Sequence, residues 1–282
     1  MATRLTILDD GMRHVLTSRG LSRYEDFVNT TIGEVVSRSS TTQTRRIRWN
    51  DAPADASNGL SDEFYLKVYR YGGKTRRLAM WPDKGGMEAR NYRILHRRCG
   101  VSVPDVIAYG SRRRWGYLLD AFILTRAIPH AISLEDFAKR RWGPNHCNAE
   151  GRSAATVIND PLRRYLLIHT ADIVARMHGA GFFHIDLQWR NILIADDGSD
   201  RPRIFLIDSA RGSHRNWKIF QAHGQLRDLS SLSKEARLQL RPREQVFWLR
   251  RYFGVSRLTQ DHHAMIQAIQ NDRRIKDHHN TR

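Results

Sequence analysis

The order of apolar and polar positions divides the chain into two parts, of which the first is rich in predicted strands. Residues 31–37 and 44–49 are predicted strands on either side of the polar turn "RSSTTQ". In "FYLKVY", Phe64, Leu66 and Val68 alternate with Tyr and Lys, which is the period of a half-buried strand. The segments "DVIAYG" and "YLLDAFILTRAI" add two more strands, joined by the basic turn "SRRRWG". This part of the chain is therefore predicted to form a mainly antiparallel sheet.

A single helix interrupts the predicted strands of this first part. A loop containing Gly85 and Gly86 leads into the helix "MEARNYRILHRR", and Gly100 follows it as a C-cap. Residues 31–128 are accordingly predicted to form one lobe, a sheet with one helix. Residues 1–30 are interpreted as an N-terminal extension of that lobe.

Helical periodicity replaces strand alternation in the second part. The helix "SLEDFAKRRW" begins with a capping box formed by Ser133 and Asp136. Residues 143–159 are a polar loop without periodicity, and the helix "PLRRYLLIHTADIVARMHG" follows with Asp160 as its N-cap and proline in its first position. Residues 129–282 are therefore predicted to form a mainly helical lobe with a short polar tail, "KDHHNTR". The predicted fold class is α+β, with two lobes.

The composition is that of a globular protein with enough apolar residues for a core. Hydrophobic residues make up 40% of the 282-residue chain and charged residues 27%, which excludes a disordered chain. No apolar run reaches the roughly 18 residues of a membrane span, and the N-terminal residues lack the apolar core of a signal peptide. The two cysteines, Cys99 and Cys147, are predicted to be ordinary thiols. Together these features predict a cytoplasmic protein.

The charge of the chain is strongly positive and unevenly distributed. The formal net charge is +18, and residues 201–282 alone contain 17 Lys and Arg against 7 Asp and Glu. An excess of this size favours polyanionic surroundings, such as nucleic acid, an anionic lipid surface or a phosphorylated substrate, although solubility alone also explains it. No nucleic-acid-binding motif accompanies the basic segments, so no nucleic-acid partner is expected. The segments "DHHN" and "PNHCN" lack the spacing of a metal site.

One segment, "FFHIDLQWRNILI", places polar residues inside an apolar run in an order that has a chemical use. Its His184, Asp186 and Asn191 match the spacing H-x-D-L-x-x-x-N of a kinase catalytic loop, and Asp208 ends the later apolar run "IFLI". In phosphoryl transfer one carboxylate accepts the hydroxyl proton, while an amide and a second carboxylate hold magnesium on the phosphates. We therefore predict that Asp186 is the catalytic base and that Asn191 and Asp208 bind Mg²⁺. The alternative is a β-hairpin with polar turn residues.

The first part of the chain contains the other two residue types that this chemistry needs. A kinase requires a strand lysine on the nucleotide phosphates, braced by a helix glutamate. Lys67 lies inside the apolar strand "FYLKVY", and Glu88 shares one face of the predicted helix with Tyr92 and Leu95. Either residue alone is more simply explained as a solvated side chain. Their order before the catalytic-loop pattern favours an ATP-binding pair.

Three positions depart from the common pattern of protein kinases. No G-x-G-x-x-G precedes Lys67, and Gly33 stands alone before "RSSTTQ", whose backbone amides are then candidates to cover the phosphates. Asp208 is followed by Ser-Ala rather than Phe-Gly, which disfavours the activation switch of regulated protein kinases. Gln188 stands where protein kinases commonly carry Lys, which disfavours a protein substrate without excluding one.

Over roughly residues 30–255 the chain resembles the protein-kinase-like superfamily. Within it, the chain resembles the lipopolysaccharide-core kinases, the WaaP-type Kdo and heptose kinase family. The segments that carry the resemblance are "EARNYRILHRRCGVSVP", "HIDLQWRNILI", "IDSARG" and "LRDLSSLSKEA", followed by "REQVFWLRRYFG". The resemblance implies a bilobal kinase-like fold and ATP-dependent phosphorylation of a heptose or Kdo hydroxyl of the lipopolysaccharide inner core. It assigns ATP anchoring to Lys67 and Glu88, the base to Asp186, and the magnesium ligands to Asn191 and Asp208.

Two other functions remain open from the sequence. One is a kinase-like phosphotransferase that acts on a protein, an aminoglycoside or another small alcohol. The other is a catalytically silent pseudokinase that binds a polyanionic partner through its basic C-terminal part. The basic excess of residues 201–282 also predicts peripheral contact with the anionic cytoplasmic face of the inner membrane, where a glycolipid acceptor would lie. Phe247, Trp248, Tyr252 and Phe253 are either interfacial or core residues in that region.

Overall fold

A computed structural model describes residues 1–49, 63–71, 81–142, 160–195, 198 and 201–279, with side chains described as far as residue 272. The loop predicted over residues 143–159, which contains Cys147 and "PNHCN", lies outside the described residues. The chain divides into two compact units. The first comprises Met1–Arg93 and Pro104–Pro129, and the second comprises Ile94–Val103 and His130–Arg282.

A six-stranded antiparallel sheet forms the first unit. Its strand order is β1-β5-β6-β4-β3-β2. The elements run in chain order as β1 (Ala2–Ile7), α1 (Asp10–Ser18), α2 (Tyr24–Asn29), β2 (Glu34–Arg38), β3 (Thr42–Arg48), β4 (Glu63–Arg70), α3 (Lys84–Cys99), β5 (Val106–Arg114) and β6 (Tyr117–Arg126). All the strands inferred from apolar alternation are present, with ends shifted by a few residues.

The sheet buries the residues that alternation predicted. Phe64, Leu66 and Val68 of β4 are all at most 4% exposed and belong to the core of this unit. The "SRRRWG" segment, predicted as a turn, is mostly strand, since β5 continues to Arg114. The turn itself consists of Trp115 and Gly116, which have positive φ angles of 48° and 81°. Two consecutive positive φ angles make the tight hairpin turn whose twist suits antiparallel strands.

Residues 1–30 contribute three elements to the first unit. Strand β1 pairs antiparallel with β5 at the sheet edge, and Leu16, Leu21 and Phe27 of the following segment are buried in the same core as β4. Asp9 caps α1 by accepting a hydrogen bond from the Met12 N–H. The N-terminal segment thus forms part of the sheet and its packing rather than a separate arm.

Helix α3 begins earlier than the sequence predicted. Asp83 accepts a hydrogen bond from the Gly86 N–H at 2.6 Å, so the helix starts at Lys84 and the two glycines lie within it. Glycine is required at Gly85, since a Cβ there would lie 2.3 Å from the carbonyl oxygen of Phe122. The glycines that suggested a loop therefore serve the close approach of α3 to β6.

The second unit is mainly helical, with three short β-ladders. Its elements are β7 (Ala131–Ser133), α4 (Leu134–Trp142), α5 (Pro161–Gly179), β8 (Phe182–Phe183), a 3₁₀ turn (Trp189–Asn191), β9 (Ile192–Ala195), β10 (Arg203–Leu206), β11 (Ser213–His214), α6 (Lys218–Gln239), α7 (Pro242–Phe253) and α8 (Gln260–His279). Strand β9 pairs with β7 and β10, and β8 pairs with β11. The predicted α+β class is confirmed. None of the described helices is long and apolar enough to cross a membrane.

Helix α5 has the termini that its sequence predicted and holds α7 against it. Asp160 accepts hydrogen bonds from the N–H groups of Leu162 and Arg163. The Arg163 guanidinium also makes a two-pronged, nearly buried ion pair with Glu244 of α7. Burial raises the pKa of Glu244, but the hydrogen bonds and charges of Arg163 and Arg241 together hold that pKa below its usual value.

Candidate active site

The segment between β8 and β9 is a tight loop whose centre is Asp186. The backbone N–H of Gln188 and the side-chain amide of Asn191 both donate to the carbonyl oxygen of Asp186, at 3.0 and 2.8 Å. His184 is fully buried, and its Nε2 lies 2.9 Å from the carbonyl oxygen of Ile207. Both donors to Asp186 bond its backbone carbonyl oxygen, so they do not occupy its half-buried carboxylate.

Gln188 contacts the Asp186 carboxylate directly. Its Nε2 donates to Asp186 Oδ1 at 2.6 Å. A neutral amide thus occupies the position where protein kinases commonly have a lysine. It orients the carboxylate without adding a positive charge. Arg190 is exposed.

Asn191 lies just before β9, and Asp208 lies just after its neighbouring strand β10. Strands β9 and β10 pair antiparallel, and the Ile207 N–H donates to the carbonyl oxygen of Asn191 at 3.0 Å. Asp208 lies two residues after the end of β10 and has a φ of 58°, the left-handed region that Asp adopts more readily than most residues. The ladder therefore brings the two predicted magnesium ligands to the same end of one small sheet.

The two residues fit a magnesium ion in their donor chemistry. Because the Asn191 amide nitrogen donates to Asp186, its amide oxygen is the atom that can bind a hard cation. Asp208 adds carboxylate oxygens, and Mg²⁺ commonly takes one or two protein ligands with phosphate and water oxygens completing its octahedron. Among the described residues, no group of three or more His, Cys, Asp or Glu is arranged to hold a metal by itself. The site thus suits a metal that arrives with a nucleotide.

Asp228 of α6 holds the catalytic loop in place, a role that the sequence analysis did not assign. Its carboxylate is fully buried and accepts hydrogen bonds from the N–H groups of His184 at 2.8 Å and Ile185 at 2.7 Å. Ile185 has a φ of 70°, which is strained for a β-branched residue and must be imposed by its surroundings. Arg227 adds a hydrogen bond to the Ile185 carbonyl oxygen. Asp228 is the aspartate of "RDLSSL", a segment that contributes to the family resemblance but to which the sequence assigned no role.

A chain of buried polar groups continues from Asp228 to α7. His178 Nε2 lies 3.1 Å from Asp228 Oδ2, and His178 Nδ1 lies 2.8 Å from the Tyr252 hydroxyl. Gln225 donates to the same hydroxyl at 2.7 Å. Burial raises the pKa of Tyr252, so its hydroxyl keeps its proton at physiological pH. His178 of α5 therefore contacts Asp228 of α6 directly, and Tyr252 of α7 is linked to that carboxylate through His178.

Lys67 and Glu88 lie together in the first unit. Lys67 Nζ is 3.7 Å from Glu88 Oε2, and Glu88 is only 3% exposed. Tyr69 donates to Oε2 at 2.7 Å, and Tyr92 donates to Oε1 at 2.8 Å. A buried carboxylate needs such partners, and the two phenols satisfy both of its oxygens while a lysine lies nearby. Tyr92 shares the helix face with Glu88, as the spacing predicted, whereas the part of Tyr69 was not foreseen.

The turn between β2 and β3 has the short, polar form that the sequence suggested. Ser39 Oγ accepts hydrogen bonds from the N–H groups of Thr41 and Thr42, and the Ser39 N–H donates to the Thr42 carbonyl oxygen. Strand β2 is exposed throughout. Gly33 has a φ of 82°, and a Cβ there would lie 2.4 Å from the Arg46 carbonyl oxygen, so this glycine serves strand packing. A phosphate-covering role for the turn stays a prediction.

The predicted site residues thus form one group in each unit. Asp186, Asn191 and Asp208 belong to one set of hydrogen-bonded segments in the second unit. Asn191 donates to the Asp186 carbonyl oxygen, and the ladder of β9 with β10 joins Asn191 to the residue before Asp208. Lys67 and Glu88 lie together in the first unit. The roles of the five residues in catalysis and in nucleotide and metal binding stay predictions.

Comparisons with known proteins give one family and one similar fold. The model of the lipopolysaccharide kinase (Kdo/WaaP) family matches residues 42–253. A solved structure described as "WaaP in complex with acyl carrier protein" has a TM-score of 0.67 and 19% sequence identity, over 96% of this chain and 98% of that one. The Toxoplasma gondii rhoptry antigen kinase domain has a TM-score of 0.40 and 13% identity, over 64% of this chain and 49% of that one. No curated protein sequence matches the chain.

Proposed function

Because the chain belongs to the lipopolysaccharide kinase (Kdo/WaaP) family, we propose that it transfers a phosphoryl group from ATP to a heptose or Kdo hydroxyl of the inner core. The family and the shared WaaP fold make it a kinase of the lipopolysaccharide core with a sugar hydroxyl as acceptor. ATP use follows from the kinase family. The identity of the sugar is our proposal, and so are magnesium dependence and the role of each residue.

The second unit supplies the proposed groups for the acceptor and the metal. Asp186 accepts the proton of the sugar hydroxyl as that oxygen attacks the γ-phosphorus, with Gln188 orienting its carboxylate. Asn191 and Asp208 would hold Mg²⁺, which supplies positive charge to the phosphate oxygens when it is bound. The observation that carries this proposal is the catalytic loop itself, fixed by Asp228 through two backbone amides.

The first unit supplies the proposed nucleotide anchor. Lys67 carries the positive charge for the phosphates, and Glu88 keeps it in place through their 3.7 Å ion pair. Because Tyr69 and Tyr92 bond both oxygens of Glu88, the carboxylate has little freedom to turn away. A preorganised lysine needs less reordering when ATP binds, which favours affinity.

The proposed function is tested by phosphorylation of defined acceptors. The full chain is incubated with ATP, Mg²⁺ and inner-core oligosaccharides that end in Kdo or in heptose, and the products are weighed by mass spectrometry. The proposal is supported if one acceptor gains one phosphate mass with the wild type and gains none with the Asp186→Asn variant. That acceptor then identifies the sugar. Phosphate transfer to a protein or an aminoglycoside but to neither core acceptor would replace it, and absence of ATP turnover would indicate a pseudokinase.

A second proposal concerns an acyl-bearing partner, since the second unit contains a mainly apolar pocket that is partly open to solvent. Its volume is about 510 Å³, and Leu166, Leu229, Trp248 and Ile269 are among the residues that line it. That volume is in the range of small-molecule sites. The similar solved structure is of WaaP with acyl carrier protein. We propose that this chain also binds an acyl carrier protein, with the acyl chain in the cavity.

Calorimetry with acylated and unacylated carrier protein tests the second proposal. Tighter binding of the acylated form is expected, and Leu229→Gln should remove the difference between the two forms. Equal affinity for both forms would leave the cavity without this role and would not affect the kinase assignment.

A further inference from the structure

The first turn of α6 exposes three large apolar side chains within four residues. Trp217 and Ile219 are each 74% exposed, and Phe220 is 56% exposed. Asn216 and Lys218 are exposed as well, and the first buried residue of the helix is Gly224. In the part of the chain that the structure describes, no other four-residue stretch contains three exposed large hydrophobic residues. We refer to residues 215–220 as the aromatic turn.

Such a cluster is unusual on a soluble protein surface. Single exposed apolar residues are common, but contiguous exposed apolar groups generally mark interaction sites. The fold does not require these side chains to be apolar, because the helix packs through residues from Gly224 onwards. The aromatic turn therefore has the features of a docking element.

The aromatic turn is held in one conformation by Arg215. The Arg215 N–H donates to the Gly181 carbonyl oxygen at 2.8 Å, and its guanidinium donates to the Phe220 carbonyl oxygen at 2.8 Å. Gln221 in turn donates to the Arg215 carbonyl oxygen. A surface that is ordered before it binds loses less conformational entropy on docking.

The charge around the aromatic turn is of one sign. Residues 209–227 include four Lys and Arg and no Asp or Glu. Arg211 and Lys218 are exposed beside the apolar side chains. Aromatic residues combined with basic residues are the signature of an element that lies in the interface of an anionic membrane. Charge complementarity thus favours an anionic lipid surface as the occupant.

The aromatic turn is connected directly to the catalytic loop. Strand β11, just before the turn, pairs with β8, which leads into His184 and Asp186. A Cβ at Gly224 would lie 2.5 Å from the Phe183 ring, so only glycine permits α6 to approach β8 this closely. A membrane contact at residues 215–220 would therefore be transmitted to the catalytic loop through a rigid connection within one unit.

We propose that the aromatic turn inserts Trp217, Ile219 and Phe220 into the interface of an anionic membrane, with Arg211 and Lys218 on the headgroups. This inference deepens the proposed function and rests on it, because a lipopolysaccharide acceptor is anchored in a membrane by its lipid. Docking keeps that lipid in the bilayer while the core sugar reaches Asp186. The α7 aromatics do not serve this purpose: Tyr252 is buried, and Trp248 donates to the Thr170 hydroxyl.

Vesicle co-sedimentation tests the docking surface. The full chain is mixed with phosphatidylcholine vesicles that contain or lack phosphatidylglycerol, across a salt series. The variant combines Trp217→Ser, Ile219→Ser and Phe220→Ser, and Trp115→Ser is the matched control, because Trp115 is 83% exposed beside Arg114 in the other unit. Because burial of large apolar side chains in the interface favours binding, the triple variant should bind anionic vesicles at least about tenfold more weakly. The control should bind normally.

A charge variant keeps the test valid if the triple variant folds poorly. Arg211→Glu with Lys218→Glu should weaken binding to anionic vesicles and reduce its salt dependence, with unchanged thermal unfolding. Wild-type binding that is equal for both vesicle types, or unaffected by the triple and charge variants, overturns the proposal. A wild-type dimer that the triple variant dissociates, without an effect on vesicles, would assign the aromatic turn to a protein interface instead.

Two acceptors separate this proposal from the proposed function. The triple variant should phosphorylate a water-soluble, deacylated core as fast as the wild type and a vesicle-embedded lipopolysaccharide far more slowly. Equal rates on the embedded acceptor overturn the docking role. A third outcome is that the wild type phosphorylates neither acceptor but binds vesicles, and that the triple variant does not bind them. In that case the proposed function fails while the docking surface stands.

Discussion

The predicted catalytic group of the second unit and the predicted nucleotide pair of the first are held in different ways. Asp186 and Asn191 lie five residues apart and are joined by hydrogen bonds through the backbone of their own loop. Lys67 and Glu88 come from a strand and a helix, and only their side chains meet. In the catalytic loop, a buried carboxylate from α6 binds backbone amides. In the pair, two tyrosine hydroxyls bind a buried carboxylate.

This difference indicates which group should tolerate change. Backbone hydrogen bonds define the path of the chain, so removing Asp228 should displace the whole catalytic loop. Side-chain hydrogen bonds fix the position of a single carboxylate, so a change at Glu88 should lower the affinity for the nucleotide and leave the rest of the fold unchanged. The predictions below test that contrast, from the largest expected effect to the smallest.

Asp186→Asn should have the largest effect on turnover. Loss of a general base typically lowers the rate roughly 10²–10⁴-fold. The backbone bonds to Asp186 do not involve its carboxylate, so the loop and nucleotide binding should remain. Steady-state phosphorylation and ATP calorimetry on the same preparation measure both quantities. Near-normal turnover in a folded variant would remove Asp186 from the role of base.

Asp208→Ala should abolish the magnesium-dependent tightening of ATP binding. The variant removes the only carboxylate of the proposed metal pair, and Mg²⁺ prefers hard oxygen ligands. Calorimetry of ATP with and without Mg²⁺ measures the effect, and Asp261→Ala serves as a control at an exposed residue of the same unit. Tightening that persists in Asp208→Ala would show that the residue only shapes the turn.

Asp228→Ala should lower both stability and turnover. The variant leaves the N–H groups of His184 and Ile185 buried without an acceptor, at a cost of about 1–3 kcal/mol each. Chemical denaturation should report that loss, and kcat should fall while KM for ATP changes little. The control is Asp172→Ala, since its exposed pair with Arg251 should contribute at most about 1 kcal/mol. Equal destabilisation by the two variants would contradict the positioning role.

Glu88→Gln should have the smallest effect of the four substitutions, and that effect should be on the KM for ATP. The amide removes the negative charge beside Lys67, so KM for ATP should rise by about tenfold, the equivalent of about 1.4 kcal/mol. Turnover at saturating ATP should be nearly unchanged. Asp10→Asn is the control, since Asp10 is almost fully exposed in the same unit. A fall in kcat without a change in KM would mean that the pair does not anchor the nucleotide.

Local patterns were sufficient where the determining contacts are close in the chain. The strands of the first unit follow from alternation, the start of α5 follows from Asp160 and a proline, and the catalytic loop follows from the spacing of Asp186 and Asn191. The predicted kinase family and fold class are confirmed. In each case a few neighbouring residues specify the backbone path, because their hydrogen bonds or their buried faces repeat within one element.

Tertiary structure decided what depends on residues distant in sequence. Glycines that signal a loop became part of α3, because Gly85 must approach the Phe122 carbonyl oxygen. Asp228 of α6 contacts the loop before β9 at residues 43 and 44 positions earlier in the chain, and Tyr252 reaches Asp228 through His178. Exposure also cannot be read from residue type. The aromatics of α7 are largely covered, whereas Trp217, Ile219 and Phe220 are exposed, because burial depends on which other elements pack against a surface.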